Sequence, residues 1–347
     1  MQALAEQLMA GPRGRALCVF AGLPFSAWRL LWDLELDPLT DTGGPWYTAA
    51  SDRVLTDAQA QSVRALAVAL AEPEVIDSTA VRRALEHTVD NAVYWQDPRD
   101  EELVGSIPLL ASDLREIAQR IAALPETRWW TAPMSEHQYE VRFLPFSEVG
   151  ALDSDLRAAA ILADAFRPRR PSERPGYRSG WWSMPPVGLV RTCPSPDGEP
   201  SGLFLVEDGF GQQRAAVHPV TSSRSRVFEI DSGEAWARLC RRHQLDVTND
   251  RSSDWRITTG LADTRWVMPD WRSVAAEYDA VHLQVGAYLA ASGTAIEVEP
   301  GVHSVIAGWA PGDTFWLTDV VEVEPRGRIF VKDRDDDLWH AEEEGNP

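Results

Sequence analysis

The hydrophobic period of this chain changes once, near residue 167, and that change commits it to helices first and sheet afterwards. Before that point apolar residues recur at intervals of three and four. Thr56 and Asp57 can cap a helix whose Val63, Leu66, Ala67 and Leu70 form one stripe. Ser78 or Thr79 can cap a second, with Val81, Leu85, Val89 and Ala92 in line. Ser112 precedes a third carrying Leu114, Ile117, Ile121 and Leu124, and Pro125 ends it. Residues 156–166 read as a fourth helix, and residues 138–143 (QYEVRF) alternate as a strand does.

Residues 167–180 (RPRRPSERPGYRSG) hold three prolines, two glycines and five arginines, the composition of a linker or a loop ordered by its contacts. Beyond them short β-like runs follow at 202–206, 214–218 and 226–230, separated by Asp-Gly and Ser-rich turn signals. Ser232 can cap a helix with Trp236, Leu239 and Cys240 on one face, and Pro269-Asp270 starts another with Val274, Ala275 and Tyr278. Strand-like content returns at 280–285, 294–298, 303–306 and 313–323. The expectation is an α+β protein: a mainly helical domain over 1–166, the linker or loop 167–180, and a domain over 181–331. This second domain combines a mixed, mainly antiparallel sheet with a few helices, and an acidic, solvated tail over 332–347 completes the chain.

The 347 residues carry 53 acidic against 33 basic side chains, a net charge of −20, which repels phosphate backbones and anionic lipid. Bulk nucleic acid is therefore disfavoured as a partner. No stretch reaches the ~20 apolar residues of a membrane span. The apolar run 16–25 behind Arg13 and Arg15 is export-like, but Gly22 and Pro24 interrupt it and no cleaved leader is expected. Three widely spaced cysteines, Cys18, Cys193 and Cys240, suit reduced thiols in a cytoplasmic protein. Walker A, Gly-x-Gly-x-x-Gly, His-Glu-x-x-His, Gly-x-Ser-x-Gly and EF-hand signatures are absent. No two of the seven histidines share a helix face, so no metal site is expected, and His282 in AVHLQV reads as a hydrogen-bonded strand histidine.

Tryptophan is used fifteen times. Most of these rings are expected in the core, but in a strand the neighbours Trp181 and Trp182 point to opposite faces, so one of them should line a surface or cleft. Glu297/Glu299 and Glu322/Glu324 share strand faces at a spacing of two, which suits either solvated faces or an acid/base pair.

Arg142 in YEVRF, Ser183 in WWSMP and Glu229 in VFEID lie 41 and 46 residues apart, each in strand-like context. This pattern resembles the Arg, aromatic-x-Ser, Glu arrangement of mono-ADP-ribosyltransferases. The resemblance spans residues 142–229 and implies NAD as substrate. Under it Arg142 or Arg178 grips the pyrophosphate, Ser183 and Trp182 form the nicotinamide wall, and Glu229 stabilises the ribosyl cation. Ser183 lacks the second hydroxyl that often follows in that family, and no Gln or Glu stands two residues before Glu229. Arg214, Ser253 and Glu299 form a second triple of similar spacing. The alternative is a non-enzymatic, acidic, Trp-rich interaction module that binds a basic protein partner.

Overall fold

The computed structural model describes residues 2–34, 36, 45–47, 55–73, 75–144, 157–165, 180–209, 211–223, 225–334 and 337–342. The helical period of the first half is realised there. Thr56 caps the helix Asp57–Ala71 in a reciprocal box with Gln59, and Val63, Leu66 and Leu70 are its buried stripe. In the next helix, Ser78–Asp90, the cap is Asp77, one residue ahead of the expected hydroxyls, because its carboxylate accepts from the Ala80 N–H. Helix Ala111–Ala123 starts with no side-chain cap, so Ser112 lies inside it.

The apolar run 16–25 has a structural cause. Helix Pro12–Gly22 is buried at every residue except Arg15, enclosed by helices Gln2–Ala10, Ser78–Asp90, Asp100–Gly105 and Ala111–Ala123. A helix covered on all sides has no polar face. At its start Gly11 has no room for a side chain, because a Cβ would meet the carbonyls of Leu289 and Ala290. The amino-terminal helices are thereby pressed against helix Val285–Ala291.

The strands are β1 (Gln138–Phe143), β2 (Arg191–Thr192), β3 (Arg214–Ser222), β4 (Val227–Ile230), β5 (Gln244–Asp246), β6 (Arg265–Pro269), β7 (Ala280–Leu283), β8 (Ile296–Glu299), β9 (Val302–Ser304), β10 (Thr314–Trp316), β11 (Val321–Val323), β12 (Arg328–Lys332) and β13 (Trp339–Ala341). They form three sheets: β1-β3-β12-β13 with β11 also on β3, then β2-β10-β7-β4, and β5-β6-β9-β8. The ladders β4·β7 and β6·β9 are parallel and the others antiparallel, so the chain is α+β with mixed, mainly antiparallel sheets. One hydrophobic core runs from Leu4 to Leu317 and takes side chains from both sides of the 167–180 segment, of which only Gly180 is described. A smaller core of Leu203, Ala215, Val217, Phe330 and Trp339 lies under the first sheet.

Most tryptophans are interior. Trp236, Trp271 and Trp309 pack on one another with centroids 5.9–6.3 Å apart, and Trp309 meets Phe315 edge-on at 5.3 Å. Each such ring removes ~150–250 Å² from water, roughly 4 to 6 kcal/mol at about 25 cal/mol per Å². Several segments depart from the sequence reading. Residues 201–203 form a 3-10 turn instead of starting a strand, with the Gly202 N–H donating to Cys193 Sγ. The strand expected over 280–285 ends at Leu283, and Val285 opens a helix, Val285–Ala291, that the sequence reading lacks. The acidic end is not wholly solvated, since β13 pairs with β12 and buries Trp339.

Candidate functional site

A polar row crosses the sheet β2-β10-β7-β4. Glu229 on β4 is in register with His282 on β7, His282 with Thr314 on β10, and Thr314 with Thr192 on β2. Residues in register point to one face of a sheet, so the four side chains share a side. The opposite face carries Phe228, Val281 and Phe315, of which Val281 and Phe315 are buried in the core. Alternation along three short strands thus separates an apolar face from a chemically equipped one.

Glu229 anchors the row. Its Oε2 takes hydrogen bonds from His282 Nδ1 at 2.7 Å and Gln284 Nε2 at 3.4 Å, and its Oε1 accepts the Met134 N–H at 2.9 Å. Burial pushes the carboxyl up, but these donors, His282 foremost, outweigh it and hold Glu229 below the usual glutamate range. An ionised carboxylate only accepts hydrogen bonds, so Nδ1 of His282 is the donor of this pair. The Glu229 side chain stays 26% exposed while that of His282 is 5% exposed. Further along, Thr192 Oγ1 donates to Gln138 Oε1 at 2.7 Å and accepts from Trp316 Nε1 at 2.9 Å. The Thr314 hydroxyl is fully buried and has no partner among the described residues.

Comparison with protein-family models, curated proteins and solved structures gives no match.

The residues singled out in the sequence fall in different surroundings. Arg142 on β1 pairs with Glu140 at 2.6 Å on the same strand face. Ser183 is fully buried, and its hydroxyl accepts the Ala307 N–H at 3.0 Å, with the Ala307 carbonyl 3.4 Å away. Trp182, 39% exposed, lies under the Arg251 guanidinium at 5.2 Å, while Trp181 stacks on Tyr94. Trp182 is thus the ring of that pair that lines the surface. Arg178 lies outside the described residues. No hydrogen bond or ion pair among the described residues joins Arg142, Ser183 and Glu229. Glu297, Glu299, Glu322 and Glu324 all face solvent, as does Ser253 of the second triple. Among the described residues no group of three or more His, Cys, Asp or Glu side chains could hold a metal ion, and no helix is long and apolar enough to cross a membrane.

Two further features are electrostatic. Half-buried Glu207 accepts from the Tyr94 hydroxyl at 2.5 Å and the Tyr288 hydroxyl at 2.8 Å; desolvation pushes its carboxyl up, against the pull of buried Arg13, which sits 4.9 Å over the Tyr94 ring and 3.7 Å from Glu102. Asp313, adjacent to Thr314 in the chain, is pushed up to about 7 by burial, against the pull of Arg191 at 3.6 Å. A groove of 610 Å³ between helices Gln2–Ala10 and Ala111–Ala123, lined by Ala5, Met9, Arg115 and Gln119 among others, includes none of these groups.

Proposed function

We propose that the protein cleaves the bond between nicotinamide and ribose in NAD, with Glu229 as the carboxylate that stabilises the ribosyl cation. The observation that carries this reading is an ionised carboxylate fixed by three donors and still partly open to solvent. Loss of nicotinamide develops positive charge on the ribose, and a preoriented negative charge lowers that barrier with no further reorganisation. Arg142 or Arg178 would bind the pyrophosphate, and the exposed Trp182 ring would receive the nicotinamide. Ser183, with its hydroxyl already engaged at Ala307, belongs to the frame of that wall and not to its chemistry. Three buried free thiols fit a cytoplasmic setting.

The test is release of free nicotinamide from NAD by the purified protein, and its fall by about 100-fold or more in Glu229→Gln. The exposed Glu299→Gln serves as the control and should keep full activity. A wild type that releases no nicotinamide retires the reading. The second reading, an interaction module for a basic protein, is favoured by the charge of −20 and by Phe25, 84% exposed. Its signature would be binding to a cationic protein that weakens steeply with salt.

A further inference from the structure

We propose that Ser273, His243 and Glu277 form a second centre, in which the Ser273 hydroxyl takes an acyl group from a small activated ester with His243 as its base. This centre is independent of the NAD reading and shares no residue with it.

One ladder and one short helix bring the three together. Gln244 on β5 is in register with Pro269 on β6, and the Asp270 N–H donates to the His243 carbonyl at 2.6 Å, so the end of helix Gly233–Arg242 lies beside the start of helix Trp271–Ala275. Three residues after Asp270, the Ser273 Oγ is thereby set 2.8 Å from His243 Nδ1. On the other side of the ring Nε2 lies 3.9 Å from a Glu277 carboxylate oxygen and has no hydrogen-bond partner among the described residues. Arg242 fixes that carboxylate with contacts of 2.7 and 3.1 Å. Burial lowers the imidazole below the ordinary histidine value, against the pull of Glu277 and Asp270 and with the help of Arg242, so the ring is neutral at neutral pH. A neutral ring carries one proton, which the carboxylate draws to Nε2, and Nδ1 then accepts from the Ser273 hydroxyl. Hydroxyl, imidazole and carboxylate in that spatial order activate a serine whatever their order in the chain.

Exposure decides what such a centre can take. His243 is buried but Ser273 is exposed, and the hydroxyl is the one group that an acyl donor must reach. In the step, the Ser273 oxygen bonds to the carbonyl carbon of the ester as the bond from that carbon to the leaving oxygen breaks. The electron pair of the broken bond stays with the leaving oxygen. The hydroxyl proton passes to His243 Nδ1, where Glu277 offsets the charge of the imidazolium, and then to solvent. A leaving group that is stable as an anion needs no proton from the protein, so the substrate class is phenyl esters and similarly activated acyl donors.

The experiment incubates wild type, Ser273→Ala, His243→Gln and Glu277→Gln with p-nitrophenyl acetate in the absence of NAD, follows p-nitrophenolate, and locates the acetyl group by peptide mass spectrometry. An acetyl group should appear on Ser273, and Ser273→Ala, at an exposed position, should lose it with Tm unchanged. Acetylation of Ser273 should slow by about 100-fold or more in His243→Gln. In wild type its rate should rise with pH and reach half its plateau below pH 6.5, because the base is the unprotonated ring. Glu277→Gln should move that midpoint lower still, since the carboxylate favours the imidazolium. Acetylation of Ser273 no faster than that of another exposed serine, Ser253, overturns the proposal, as does a folded His243→Gln that keeps the wild-type rate. If His243→Gln does not fold, a wild-type rate at Ser273 with no midpoint below pH 6.5 overturns it. Nicotinamide release from NAD enters none of these measurements, so the two readings stand or fall separately.

Discussion

Replacing Asp313 by asparagine should flatten part of the protein's dependence of stability on pH. The Asp313 carboxyl is buried and its Oδ2 accepts no hydrogen bond among the described residues, so the folded chain keeps its proton up to about pH 7. The unfolded chain gives that proton up near the ordinary value of 3.8. Because the folded state binds the proton more tightly, the contribution of Asp313 is fully present below pH 3.8 and is lost as pH rises through 7. The loss is about 1.4 kcal/mol per pH unit within that window, on the order of 4 kcal/mol across it. An asparagine side chain carries no charge at any pH, so the stability of Asp313→Asn relative to wild type should improve by about 3 kcal/mol between about pH 5 and pH 8.5. Urea unfolding of both proteins at several pH values measures this gap directly. A gap that stays constant with pH would refute the assignment of a retained, desolvated proton to Asp313.

Arg13→Met should cost about 3 kcal/mol in denaturant unfolding, because it removes the buried cation that pairs with Glu102 and draws on Glu207, and adding Glu207→Gln should recover part of that loss. Burial pushes each of the thiols of Cys18, Cys193 and Cys240 up to about 12, so a chromogenic disulfide reagent should label none of them in the native protein and all three after unfolding. Reductant should leave Tm unchanged, since all three are free and buried.

The sequence reads well wherever one face of an element is wet. Helix Asp57–Ala71 shows its stripe and its cap because its other side is solvated. The reading fails where an element is covered all round or carries no stripe. Residues 285–291 (VGAYLAA) are buried at nearly every position, which erases the period that separates a helix from a strand. Helix Thr248–Thr259 offers the opposite difficulty, since only Trp255, Thr258 and Thr259 are buried among mostly polar residues. The site is legible in its parts and not in its assembly. Glu229 stands out as a carboxylate in a strand and His282 as a histidine in another, but the link between them is a parallel register over 53 residues. No local pattern encodes such a register, and Thr314 looks like any strand threonine until its hydroxyl is found without a partner among the described residues.

The close approach at Gly11 has a consequence for how the chain is made. The helices at residues 2–22 emerge from a ribosome well before the backbone they press against, at Leu289 and Ala290. At ~5–20 residues per second that interval is on the order of 15 to 60 seconds. Throughout it the apolar surface of helix Pro12–Gly22 lacks its final cover. A nascent chain with that delay is a substrate for holding chaperones, and shortening it by circular permutation, with the first helices placed after residue 342, should raise the yield of soluble protein.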